Sequence, residues 1–315
     1  MSLSRDELDR IQRLRAMFLD DTRGDRALLD YWRDEHDLRA YARVLGARIG
    51  WKWDAALSEC RDRGLLRNED AVVLDFGCGA GVAALRHVEH FGAAEVLCLD
   101  RSTIAAAFAA AAIRAKHPKM RTRAVTTTEG LSFDVLLASH VVSELDASGL
   151  AQLRDAIARS RVAILVESGN FAASRRLSSL RDEFAASMHV IAPCAHRDRC
   201  PALLTSSEWC HFFAEPPQAV FTDGDWARAG RDVGIDLRAL PYAFVCLSRD
   251  PVQAPAVRHR ILGRPDVSKH DARAQVCLQD GLRLATVTKR ADPATWRLLK
   301  KDPLALRELP DATTD

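Results

Sequence analysis

Two groups of residues in this 315-residue chain have types and spacings suited to chemistry. The first is Val72-Val73-Leu74-Asp75-Phe76-Gly77-Cys78-Gly79-Ala80-Gly81. A short apolar run ending in an acid and followed by alternate glycines reads as a strand entering a tight turn before a helix. Glycine there permits sharp turning and close backbone approach to a ligand. Asp100 closes the next apolar run, 21 residues beyond Gly79, where a carboxylate can accept hydrogen bonds from both hydroxyls of a ribose. The chemistry this predicts is nucleoside binding. The plainer alternative is a glycine turn kept only for packing.

The second group is Cys194-Ala195-His196-Arg197-Asp198-Arg199-Cys200-Pro201 followed by Trp209-Cys210-His211-Phe212, three thiols within 17 residues. Soft thiolates select zinc or iron–sulfur clusters. The spacing matches neither the tight ferredoxin run nor the common zinc fingers. A fourth ligand has to come from elsewhere. Cys246, inside Tyr242–Leu247, reads as a core thiol, and so do Cys60, Cys78 and Cys98. Cys277 precedes an Asp280-Gly281 turn. His196 or His211 could complete a zinc site instead.

The elements that must position these groups follow from periodicity. Residues 1–66 read as helical, with Leu8, Ile11, Leu14 and Phe18, then Leu28, Leu29 and Trp32, at three- and four-residue spacing. They form an N-terminal cap. From Ala71 short apolar runs alternate with helical stretches. Strands are expected at Ala71–Phe76, Glu95–Asp100, Arg121–Thr126, Phe133–Ser139 and Val162–Glu167. Helices are expected at Val82–His90, Ile104–Lys116, Ala147–Ser160 and Phe171–Ala186. That rhythm predicts an α/β fold with a parallel, doubly wound, Rossmann-like sheet. Beyond Met188 it breaks, with a strand expected at Tyr242–Ser248 and β structure at Ala272–Thr288. Three regions result: a helical one (1–66), a nucleoside-binding core (67–187), and a segment carrying the cysteines, remaining strands and a basic extension (188–315).

Composition sets the class. With 48% hydrophobic and 28% charged residues and a net charge of +2, the chain reads as an ordinary soluble globular protein, neither disordered nor fibrous. No run approaches the 18 to 20 apolar residues that span a bilayer. The acidic start, Ser4-Arg5-Asp6-Glu7, has no apolar signal core. A cytoplasmic monomer with reduced thiols and no membrane partner is expected. Between Arg258 and Lys301, 11 Lys and Arg stand against four Asp, enough to neutralise phosphates of a nucleic acid or simply to form a solvated β surface. Arg175, Arg176 and Arg181 could add to that face.

The glycine turn resembles the first motif of class I S-adenosylmethionine (SAM)-dependent methyltransferases. By that resemblance Asp75, Gly77, Gly79 and Gly81 surround the methionine part of SAM. Asp100 binds the ribose, Arg101 flanks the adenine, and Ser139-His140 border the pocket. Several segments together resemble a methyltransferase-like family of small-ribosomal-subunit assembly factors, known in mitochondria and with bacterial members. They are Val73–Gly81, Ser139–Leu145, Val166–Gly169, Val190–Phe212, Tyr242–Arg249 and Cys277–Arg290. The Ala-Pro-Cys…Cys-Pro…Trp-Cys-His-Phe string is the most specific of them. The resemblance implies a [4Fe–4S] cluster on Cys194, Cys200, Cys210 and Cys277, with zinc as the alternative, and association with small-subunit ribosomal RNA. The chain departs from the family at Phe213-Ala214-Glu215-Pro216-Pro217, where members are strongly basic, and at Ser168, where proline is common.

Methyl transfer needs the nucleophile in line with the sulfonium and sometimes a base. The Asn/Asp-Pro-Pro-aromatic motif of exocyclic-amine enzymes is absent, because that position reads Ser139-His140-Val141-Val142. No nucleophilic cysteine lies there either. His140 or Glu144 could serve as base, or each could be a plain polar group, so no catalytic residue is assigned. The expected function is a SAM-dependent methyltransferase-like protein of the small ribosomal subunit. The alternatives are a SAM-binding assembly factor that transfers nothing, and a small-molecule methyltransferase with a structural zinc site.

Overall fold

The structure, a computed structural model, describes residues 3–19, 30–194, 196–252 and 259–310. Leu28, Leu29, Ala195 and Arg258, used in the sequence reading, lie outside the described residues. The chain divides into two compact units, Met1–Ser58 with Leu66–Val166 and Glu215–Leu240, and Glu59–Leu65 with Glu167–Ala214 and Pro241–Asp315.

The first unit begins with α1 (Arg5–Phe18), α2 (Glu35–Tyr41), a π-helical turn (Ala42–Gly46) and α3 (Ala47–Asp62). A capping box starts α1: Ser4 Oγ accepts from the Glu7 N–H, and the Glu7 carboxylate accepts from the Ser4 N–H. Leu14, Trp32 and Leu38 bury their side chains in a cluster with Ala80 and Ala105, which puts the N-terminal segment directly on the glycine turn. Asp37 is fully buried and accepts from Arg10, Arg13 and Arg33. Burial disfavours its charge. The three guanidiniums outweigh that and hold its carboxyl far below the usual range.

The α/β part runs β1 (Val72–Phe76), α4 (Val82–Phe91), β2 (Glu95–Leu99), α5 (Thr103–Lys116), β3 (Arg121–Val125), β4 (Val135–Ser139), α6 (Ala147–Arg159) and β5 (Val162–Ser168). Four of these strands are buried runs of Val, Leu, Ile and Ala, the composition of strands covered on both faces. Together with β3 they pair in parallel in the order β3-β2-β1-β4-β5, with Phe76 beside Leu99 on one side and Ala138 on the other. The order reverses between β1 and β4, the switch point where open α/β sheets bind ligands. The Rossmann-like α/β architecture expected from the sequence is the one observed.

The second unit opens its main stretch with α7 (Phe171–Phe184) and β6 (His189–Ala192), then β7 (Phe212–Ala214). Two short helices, α8 (Ala219–Thr222) and α9 (Gly224–Val233), return to the first unit. In the second unit β8 (Leu240–Ser248) pairs antiparallel with β6 and also pairs with β7. A separate antiparallel sheet is made of β9 (Arg260–Val267), β10 (Asp271–Leu278) and β11 (Gly281–Thr288), ordered β11-β10-β9. Its alternate residues Ala272, Ala274 and Val276 pack with Trp296 and Leu299 of α10 (Pro293–Lys301). Glu59, 1% exposed, receives Arg260 at 2.8 Å, with Arg307 and Arg63 close by.

Candidate functional site

A cavity of about 340 Å³ opens in the first unit at the switch point. The turn after β1 forms one wall. Gly77 has φ 69°, and a Cβ there would lie 2.7 Å from Val141 Cγ2, so only glycine lets the turns after β1 and β4 meet. The N–H groups of Gly77 and Cys78 donate to the Leu99 carbonyl at 2.8 and 2.9 Å, which locks this turn to the end of β2.

Asp100 stands at that end. Its Oδ2 accepts from the Gly79 N–H and its Oδ1 from the Ser102 N–H, each at 2.9 Å. Each oxygen keeps a lone pair for a ligand. Burial raises the Asp100 carboxyl above its ordinary value, against the lowering effect of those two backbone donors. Such a carboxylate gains from accepting further hydroxyl donors.

Aromatic side chains from the N-terminal segment complete the enclosure. Trp32 lies over Gly79, with Tyr31 at 4.7 Å and Tyr41 at 5.2 Å between ring centroids. The Arg101 guanidinium sits 5.8 Å from the Tyr31 ring, and the Tyr31 hydroxyl donates to Glu144 at 3.2 Å. Glu144 is thereby engaged at the cavity wall.

The other wall follows β4. Ser139 Oγ accepts from Trp53 Nε1 at 2.9 Å and lies 3.4 Å from His140 Nδ1. Burial, reinforced by the cations Lys52 and Arg48, pushes the His140 imidazole well below its ordinary value, so it is uncharged.

In the second unit α7 secures the cysteine loop. Arg175 donates to the carbonyls of Ala202, Thr205 and Glu208 at 2.6, 2.8 and 2.9 Å. Arg181, 2% exposed, donates to the carbonyls of His196, Arg197 and Asp198 and to the Asp182 carboxylate. Asp182 accepts from the Cys200 N–H at 3.0 Å, and Ser174 Oγ donates to the Cys210 carbonyl. The buried Arg181 and the half-buried Arg175 therefore spend their donors on the cysteine loop rather than on the basic face anticipated for them.

The four thiols Cys194, Cys200, Cys210 and Cys277 lie within electrostatic reach of one another. Burial raises the Cys210 thiol well above its ordinary value, and Cys194, Cys200 and Cys277 raise it further. Burial pushes Cys277 up to about 12, again with help from Cys194 and Cys200. Its Sγ is 3.9 Å from His196 Nε2. Among the described residues no three His, Cys, Asp or Glu side chains converge as one metal ion would require. Neither the cluster nor the zinc alternative thus gains support from the geometry. Two buried guanidiniums act on the thiols: Arg181 interacts with Cys194, and the charge of Arg260 opposes the rise at Cys210 and Cys277. The Nε of each is buried with no hydrogen-bond partner.

The family model described as "Mitochondrial small ribosomal subunit Rsm22" matches residues 64–302. The chain belongs to the Rsm22 family. This is the resemblance that the cysteine string and the strand-end motifs carry. No curated protein matches the chain significantly. Among solved structures it is similar to Thermoplasma acidophilum 1320, at 16% identity over 79% of this chain and 98% of that one, TM-score 0.38. TrmK of M. capricolum, in complex with S-adenosyl-homocysteine (SAH), gives 10% identity over 62% and 69%, TM-score 0.35. The [4+2]-cyclase SpnF gives 16% over 63% and 82%, TM-score 0.39. Likeness at this level assigns no function.

In this Rsm22-family chain Gly77, Gly79, Asp100, Arg101 and Ser139 all line the cavity. Asp75 and Gly81 do not. Asp75 is fully buried behind the turn, where Oδ2 accepts from the Ala84 N–H of α4 at 3.3 Å. Gly81, at φ 75°, allows close contact with α5, since a Cβ would lie 3.1 Å from Ala109 Cβ. Sequence reasoning missed the wall formed by Tyr31, Trp32 and Tyr41. Three large aromatics within 11 residues were the available signal.

Proposed function

We propose that this Rsm22-family protein binds SAM in the cavity at the switch point and acts on the small ribosomal subunit through its RNA. The observation that carries the reading is Asp100. Its two oxygens are fixed by backbone donors at the rim of a nucleoside-sized cavity and keep lone pairs for a ribose diol. The Gly77–Ala80 backbone gives the close approach that a ligand without a pyrophosphate needs, and Trp32 and Tyr31 exclude water beside it.

Cys194, Cys200, Cys210 and Cys277 would hold a [4Fe–4S] cluster, with Arg181 and Arg260 offsetting its negative charge. When bound, the cluster supplies a covalent cross-link between the loop after β6 and the end of β10. Exposed cations on and beside β9–β11, including Arg264, Lys289 and Arg290, would meet phosphates of that RNA. Among the described residues no helix is long and apolar enough to cross a membrane. We place the protein, as a monomer, with the ribosome it serves, in the cytoplasm or in the mitochondrion of the family's name.

A second reading, binding without methyl transfer, is favoured by one feature. Of the two base candidates of the sequence, the buried His140 is pushed well below its ordinary value, which makes it a weak base, and Glu144 is engaged by Tyr31. Incubating the protein with labelled SAM and small-subunit particles separates the two. Label in the RNA supports the enzyme. Stable particle and SAM binding without label supports the assembly factor. Binding of neither ends the proposal.

A further inference from the structure

We propose that a cavity of the second unit, between the end of α7 and the cysteine loop, is a phosphate site in which Arg197 and Arg199 grip one phosphate of an RNA backbone. RNA as the source rests on reading the small ribosomal subunit as the partner. The phosphate chemistry rests on the charges of the cavity alone.

The cavity measures about 400 Å³ and is lined by Arg181, Asp182, Ala185, Ala186, Arg197 and Arg199. Three guanidiniums there meet one carboxylate. Asp182 is occupied: its Oδ1 accepts from Arg181 at 2.7 Å, and both oxygens accept from the Cys200 N–H at 3.0 Å. Arg181 is buried, pairs with that acid and donates to loop carbonyls. Arg197 and Arg199, both exposed, are left as two positive charges on the cavity wall with no acid of their own. The acid between them in sequence, Asp198, does not line the cavity, and its Oδ2 accepts from Gln279 at 2.9 Å.

Their remaining donors match an oxyanion. A guanidinium carries five N–H donors in a planar fork. Arg197 spends two on the carbonyls of Ala185 and Met188, at 3.1 and 3.2 Å, and its Nη1 lies 3.4 Å from His189 Nδ1. Those bonds cover carbonyls at and just beyond the end of α7, whose negative pole would otherwise repel an anion. Two of its donors remain. Arg199 has no hydrogen-bond or ion-pair partner among the described residues, so all five of its donors remain. Two such forks on one wall offer the bidentate, charge-assisted bonds by which arginine recognises phosphate.

The backbone that presents them is anchored. The carbonyls of His196, Arg197 and Asp198 accept from Arg181, and the Cys200 N–H is held by Asp182. Arg199 thus lies between two fixed peptide groups, and a loop already in place loses little freedom on binding. The other lining side chains, Ala185 and Ala186, are small and leave the space open. The exposed Arg264, Lys289 and Arg290 add positive charge to the same unit, which favours a polyanion over an isolated anion.

The test measures binding of small-subunit RNA by the full-length protein across a series of KCl concentrations. Arg199→Gln removes one charge and breaks no contact within the protein, so the fold should stand. It should bind roughly tenfold more weakly, the size of one charged hydrogen bond, with a salt dependence shallower by about one unit of slope. Arg199→Lys keeps the charge and loses the fork, and should fall between the glutamine variant and the wild type. Ala186→Glu puts a carboxylate into the cavity and should weaken binding at least as much as Arg199→Gln. Wild-type affinity in any of these three variants overturns the proposal.

Inorganic phosphate decides the source. In protein labelled with ¹⁵N-arginine, the Arg199 Nε–H resonance, assigned by its loss in Arg199→Gln, should move saturably as phosphate is added. An unmoved resonance overturns the site. A moving resonance in a wild type that binds no RNA at low salt keeps the phosphate site and refutes RNA as its source, which is a failure of the partner reading.

Discussion

Replacing Asp75 with asparagine should stabilise the protein at alkaline pH while leaving it unchanged in acid. Asp75 is 0% exposed. Its Oδ2 accepts one backbone N–H at 3.3 Å and its Oδ1 has no hydrogen-bond partner. Burial raises the carboxyl from 3.8 to about 7, the Ala84 N–H pulls it down only in part, and the nearby Asp100 adds to the rise. Above pH 7 the group is charged in both states, and the folded state bears the cost of burying that charge. Below 3.8 it is neutral in both. Between these limits folding takes up a proton, so stability is greatest below the unfolded value and is lost as the pH rises through about 7. A span of roughly three pH units at about 1.36 kcal/mol each gives about 4 kcal/mol. The partial positive charge at the start of α4 makes this an upper bound.

Asparagine keeps an acceptor for the Ala84 N–H and carries no charge. Urea-unfolding midpoints of both proteins, compared across this range, should coincide near pH 4 and separate by up to about 4 kcal/mol near pH 8, with Asp75→Asn the more stable. Parallel curves throughout, or a variant less stable at pH 8, would refute the reasoning.

Asp37→Asn should behave in the opposite sense. The carboxylate is held low by Arg33, Arg10 and Arg13 despite its burial, so its contribution is present above 3.8 and disappears as the pH falls below that value. Loss of the charge should cost about 2 kcal/mol at neutral pH, discounted because the three arginines are partly exposed, and the variant should lose less stability in acid than the wild type; equal melting temperatures at pH 7 would contradict this. Glu59→Gln leaves Arg260 buried without its counter-charge and should cost about 3 to 5 kcal/mol, checked by chemical denaturation. Protein purified without air should carry about four irons per chain, and Cys200→Ser should lose them and melt earlier. Wild-type iron content in that variant would remove Cys200 from the ligand set.

The sheet was legible because its strands are short apolar runs separated by helical stretches, and the glycine turn because three glycines at alternate positions suit little else. Legibility ended where function depends on backbone partners. Arg175 and Arg181 resemble surface cations in the sequence, yet they donate to carbonyls of the cysteine loop, and carbonyls leave no mark in residue types. Asp75 reads as a ligand residue by its place in the motif, and the structure turns it into the interior instead. The strand Arg260–Val267 was missed because Gly263 and Pro265 interrupt its pattern. The helix Pro293–Lys301 was missed although Asp292 caps it and Pro293 opens it, a start signal present in the sequence. The aromatic wall is hidden in the sequence because Trp32 also fits the apolar stripe of a helix, and nothing in the spacing of Tyr31 and Tyr41 ties them to the glycine turn.

The most direct test of the account is calorimetric titration of SAH into the wild type and into Asp100→Ala. The wild type should bind SAH saturably, one to one. In the variant binding should be weaker by about 1 to 3 kcal/mol, the cost of leaving ribose hydroxyls without their acceptor. Equal affinity in the two proteins would show that the ribose lies elsewhere, and absence of binding by the folded wild type would contradict the reading of the cavity as a SAM site.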